Sequence, residues 1–199
     1  MRMAPWAKLA PNIIGAGFFY IKTPKRKEIK MQTNSVQTRN LTVSAIFMAL
    51  GLVFHFMVPG IFFGVKPDFL LSMMFISLMI VGDVKEALLI GVAGGIMSAL
   101  TTGFPGGQIP NFIEKIITSL VVFYMIKVMG KNFTIPKIIL IFALGTMVSG
   151  TLFLTIALTM TNQLNLFIPS YPAVLVAMAI NAILGIFLYK ATQRMNLLR

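Results

Sequence analysis

Between Ala99 and Lys115 the chain reads ALTTGFPGGQIPNFIEK, a polar and turn-rich stretch between two apolar runs. Its groups can do binding chemistry. Glu114 is a carboxylate just inside an apolar helix, and such a charge is costly in lipid and marks a functional candidate. It could take a substrate ammonium. Asn111, at i−3, shares its helix face, and with Gln108 it offers directional hydrogen bonds. The plainer role for Glu114 is to balance the dipole of its own helix start, or to pair with a Lys elsewhere.

A second group lies at Lys66-Pro67-Asp68, where Asp68 suits an amine and Lys66 a carboxylate. Against this stand two ordinary roles: Asp near a helix start caps it, and Lys snorkels to lipid headgroups. Thr101 and Thr102 end an apolar run and can bond their own helical carbonyls. Asn181 falls in the middle of an apolar run, and a buried amide there needs a partner across helices. These eight residues form the candidate substrate-binding set. Aromatic and Met residues such as Phe104, Phe112, Tyr171 and Met97 read mainly as packing, some of them suited to sandwiching a flat ligand.

Catalysis finds little here. The 199 residues hold one histidine, His55, and no cysteine, which removes thiolate nucleophiles and thiolate metal sites. There is no Walker loop, no HExxH and no GxSxG. The four acids beyond residue 39 form no close pair that would hold a metal dyad. Neither enzyme chemistry nor a cofactor is expected.

The elements that carry these residues are built for lipid. Hydrophobic residues make up 57% of the chain and charged ones 11%, against about 25% in a soluble domain. Mean hydropathy is +0.88. Six apolar runs are expected to be helices: 40–58, 69–81, 87–100, 112–129, 138–160 and 173–189. The second and third fall short of the roughly 20 residues that span a bilayer, so they need their flanks or border a cavity. No strand-like alternation competes. The fold class expected is an all-α integral membrane protein.

The net charge of +12 does not signal nucleic acid. Eight of 17 basic residues lie in 1–39, and the others sit mostly at the ends of apolar runs. Cytoplasmic anchors facing anionic lipid have this distribution. With the amino terminus inside, segments 82–86, 127–137 and 190–199 are cytoplasmic and basic, while 59–68, 101–111 and 161–172 contain only Lys66. That asymmetry predicts six spans with both termini in the cytoplasm. Three helices then begin at the outer face beside Pro67, Pro110 and Pro172, and their free N–H groups would attract a carboxylate there.

Residues 1–38 form a basic amino-terminal extension, and 39–199 the six-helix substrate-binding domain. Within the extension Leu9–Ile21 is apolar but only 13 residues long, suiting an interfacial helix or a signal-peptide core. The basic run after it opposes export, and Met31 offers an alternative start. On the first span, Ala45-x-x-x-Ala49 with nearby Gly51 makes a small-residue seam where another helix can approach.

Three blocks carry a family likeness: VKPDFLLSMMF at 65–75, ALTTGFPGGQIPN at 99–111 and SGTLFLTIAL at 149–158. Together they resemble the tryptophan-transporter (TrpP) family, grouped with the substrate-binding S components of energy-coupling factor (ECF) transporters. The likeness covers about 38–194. It implies a six-helix S-component fold in the cell membrane, tryptophan as substrate, and import assisted by an ECF coupling subunit and a cytoplasmic ATPase pair. It also implies that Ala45 and Ala49 dock the coupling subunit. Two other classes stay open: an ion-coupled, homo-oligomeric amino-acid carrier, and a structural membrane subunit.

Overall fold

The run FLLSMMFISLMI is apolar in every direction, a pattern that fits a helix with no exposed face. The computed structural model describes residues 25–57, 67–130 and 132–195, with side chains from residue 36 onward. Among them are six α-helices and no strand: α1 (Lys25–Met57), α2 (Phe69–Ile80), α3 (Val84–Thr101), α4 (Gln108–Met129), α5 (Ile135–Met160) and α6 (Phe167–Arg194). A 3-10 turn, Leu164–Leu166, leads into α6. The chain divides into two compact units, Met1–Thr38 and Arg39–Arg199, and the packed bundle lies in the second.

Helix α2 is the centre. Every residue from Leu70 to Met79 is buried, and α3, α4, α5 and α6 all pack on it. Twelve residues rise only about 18 Å, well short of a hydrocarbon core about 30 Å thick. The mismatch carries no penalty, because α2 meets protein rather than lipid on all sides. Among the described residues four segments are long and apolar enough to cross a membrane: Val36–Met57, Val84–Thr101, Ile135–Met160 and Leu164–Arg194. Helix α4 has 22 residues but carries Glu114, Lys115 and Lys127.

Small residues set the spacing of the bundle. A Cβ on Gly95 would lie 2.9 Å from the Phe112 carbonyl oxygen, so α3 and α4 touch nearly backbone to backbone. Gly145 of α5 leaves room for Phe75 of α2, whose ring meets Phe142 edge-on at 5.4 Å. The core therefore interlocks large rings with absent side chains.

Helix boundaries depart from the apolar runs where polar residues belong to the helix. Helix α3 starts at Val84 because Glu86 folds back to accept from the Gly82 and Asp83 backbone N–H groups, at 2.9 and 3.2 Å. Helix α6 begins at Phe167, so Pro172 stands inside it rather than at its start. The hydrogen bond that Pro172 cannot donate would have gone to the Ile168 carbonyl, in a first turn where Ile168 is 83% exposed.

Candidate functional site

Helices α5 and α6 run antiparallel, and their contacts give the cavity beside them a depth scale. At the bottom the Asn181 amide donates to Thr146 Oγ1 at 3.3 Å. Higher up Gly150 packs on Val174, and Thr151 Oγ1 meets the Tyr171 hydroxyl at 3.2 Å. A cavity of about 660 Å³ opens beside this seam, closed on its other sides by α2, α3, α4 and the end of α1. This volume falls in the usual range of small-molecule pockets.

Charge is concentrated in the lower half. Asp68 caps α2, its Oδ1 accepting from the Leu71 N–H at 2.9 Å, while its own N–H donates to Asn181 Oδ1 at 3.1 Å. The other carboxylate oxygen of Asp68 lies 3.7 Å from Lys115 Nζ, and His55 Nδ1 stands 3.5 Å from Oδ1. Lys115 is 3% exposed and also pairs with Glu114, which is 1% exposed. Ser149 donates to Glu114 Oε2 at 2.7 Å and Thr118 to the same oxygen at 3.3 Å. One ammonium thus serves two carboxylates from different helices. Such a group is stable only while each charge keeps its partner.

The upper half is different in kind. Thr101, Thr102, Gly103 and Phe104 form one wall. The Gly107 N–H donates to the Phe104 carbonyl at 2.9 Å, closing a turn with Pro105 second and Gly106 third at φ 73°. Only glycine adopts that left-handed position readily, as a type II turn requires. Thr102 Oγ1 accepts from the Phe104 N–H at 3.3 Å, so both backbone groups of Phe104 are held. Its ring meets Phe153 of α5 edge-to-face, with centroids 5.6 Å apart. Leu154, Pro169 and Ala173 complete an apolar rim.

Of the sequence candidates, Asp68, Thr101, Thr102, Asn111, Glu114 and Asn181 all line this cavity. Asp68 is both cap and cavity wall. Thr101 bonds the Met97 carbonyl at 2.9 Å, the ordinary role of a threonine in a span. Asn111 accepts from Ser98 at 2.9 Å and donates to the Gly107 carbonyl at 2.8 Å. Gln108 lies elsewhere, exposed on an apolar groove with Ile96, Leu100 and Phe112. Gln108 is the first residue of α4, and its exposed side chain lies on that groove rather than in the cavity. Lys66, Phe62 and Phe63 lie outside the described residues. The α2 amino end, expected to be open to a substrate carboxylate, is filled by the Asp68 carboxylate.

The residue that sequence reasoning passed over is Lys115. The cost that marks Glu114 applies equally to the cation beside it, and an adjacent Glu-Lys doublet in an apolar run was the available signal. Ser149 and Phe153, also on the wall, carry no such signal, since Ser and Phe are common in membrane helices.

Residues 37–197 match the family model described as tryptophan transporter TrpP. The chain belongs to the TrpP family. Relatives of the same name agree. A probable tryptophan transport protein of Bacillus subtilis is 35% identical over 159 residues, covering 79% of this chain and 92% of that protein. One from Clostridium acetobutylicum is 36% identical, over 78% and 92% of the two chains. One from Clostridium perfringens is 32% identical over 168 residues, with 79% and 92% covered. No solved structure matches this TrpP-family chain. As a family member with several long apolar helices, it is a multi-pass membrane transport protein and not an enzyme.

Proposed function

We propose that this protein captures tryptophan in the cavity beside the α5–α6 seam and delivers it inward as the S component of an ECF-type transporter. The observation that carries the reading is the buried triad of Asp68, Lys115 and Glu114 on the wall of a cavity whose other end is apolar and aromatic. A zwitterion carries the complement of that triad. Its carboxylate goes to Lys115, and its ammonium replaces the lysine against Asp68 or Glu114, with Asn111 and Asn181 fixing the orientation. Both charges of the ligand then exchange water for buried partners, so a ligand lacking either leaves one protein charge uncompensated. The relatives, each a probable tryptophan transport protein, supply the choice of tryptophan among zwitterions.

In this reading residues 39–199 are the binding domain, with six spans, both termini in the cytoplasm, and residues 1–38 an appended basic arm. The cavity mouth at Thr102–Phe104 and Pro169 then faces outward. Ala45 and Ala49 are exposed on α1 next to Ile46, Leu50 and Val53, which suits a flat seam for a coupling subunit.

Calorimetry on the purified protein tests the head-group reading. Tryptophan should bind, while tryptamine and indole-3-propionate should each bind at least about tenfold more weakly, a difference of roughly 1.4 kcal/mol. Equal binding of all three ligands, or no binding of tryptophan, would sink it. Uptake by the lone protein in proteoliposomes, driven by a proton gradient, would replace the ECF partnership with an ion-coupled carrier.

A further inference from the structure

We infer that Phe104 and Phe153 are the specificity-determining residues for the ligand's ring, gripping it at the mouth end of the cavity. The inference rests on the head group lying at Lys115. Depth along α5 fixes the geometry. Ser149 contacts Glu114, and Phe153 lies one turn nearer the mouth, about 6 Å along the axis. An amino acid held by its charged end therefore directs its side chain at Phe153, with no rearrangement of the helices.

The space there suits a flat ring. Gly150, Ala173 and Ala177 line the cavity beside the α5–α6 seam with almost no side chain, and Val174 packs directly against Gly150 to close the seam itself. Phe104 and Phe153 stand nearly perpendicular, at 82°, so one ring offers a face and the other an edge. An aromatic ligand inserted beside such a pair finds both kinds of contact, which favour it beyond simple burial. Phe104 is 37% exposed, so ring surface remains for a ligand to cover. Its backbone is held by Thr102 and Gly107, so its position does not depend on the ligand.

The test compares tryptophan binding to the full-length wild type, Phe153→Ala, Phe104→Ala and Phe153→Leu in nanodiscs, with thermal midpoints measured alongside. Each alanine variant should lose about tenfold in affinity, and Phe153→Leu about threefold, since leucine restores apolar area without a ring. Ala177→Phe should place a ring inside the cavity and abolish binding. Wild-type affinity in Phe153→Ala and Phe104→Ala, at unchanged midpoints, overturns the inference while leaving the head-group site intact. If the alanine variants fail to fold, wild-type affinity in Phe153→Leu together with binding to Ala177→Phe overturns it equally. A wild type that binds no tryptophan refutes the head-group reading instead.

Discussion

Replacing Lys115 with Met removes the one ammonium that Asp68 and Glu114 share. Methionine nearly matches the length of the lysine stem, so packing is kept and the change is mainly electrostatic. At 1% exposure Glu114 is poorly solvated, and the protein partners left to it are the Ser149 and Thr118 hydroxyls. Removing one member of a buried ion pair typically costs about 3–5 kcal/mol. For a chain of this size each kcal/mol moves the thermal midpoint by about 2–4 °C, so the expected fall is roughly 6–20 °C. The assay is circular dichroism of the helical signal in detergent at one fixed scan rate. A second substitution makes the result specific. Glu114→Gln in the Lys115→Met background removes the stranded charge while keeping hydrogen-bonding capacity, and it should recover at least about half of the loss. A midpoint within about 2 °C of wild type for Lys115→Met, or a double variant no better than the single, would refute the claim that Lys115 compensates the buried carboxylates.

Three further outcomes are expected. Gln108→Leu should leave tryptophan affinity unchanged within twofold by calorimetry, because Gln108 sits on the groove outside the cavity. Asn181→Leu should lower stability by about 1–3 kcal/mol in the same melting assay, since it strands the Asp68 N–H and removes the bond to Thr146. Gly95→Ala should also destabilise, by about 1–3 kcal/mol, because the new methyl meets the backbone oxygen of Phe112, which no rotamer change can move aside.

Which parts are helical, and that they are built for lipid, was legible from the order of residues alone. Hydropathy and charge act locally, and a run such as 138–160 has few alternatives in a membrane. Most of the polar wall was marked in the same way, because each polar group inside an apolar run is costly enough to be noticed alone. Which of those groups meet depended on how the helices pack. Asp68 and Lys115 are 47 positions apart in the chain, and only the packing of α2 against α4 brings their charges to 3.7 Å. The burial of short α2 among its neighbours, which removes its mismatch with the bilayer, likewise has no local signature. Pairing across helices depends on rotation and depth together. Each residue turns a side chain by about 100°, so the two positions from Ile113 to Lys115, about 200°, carry a side chain from the outside to the cavity wall.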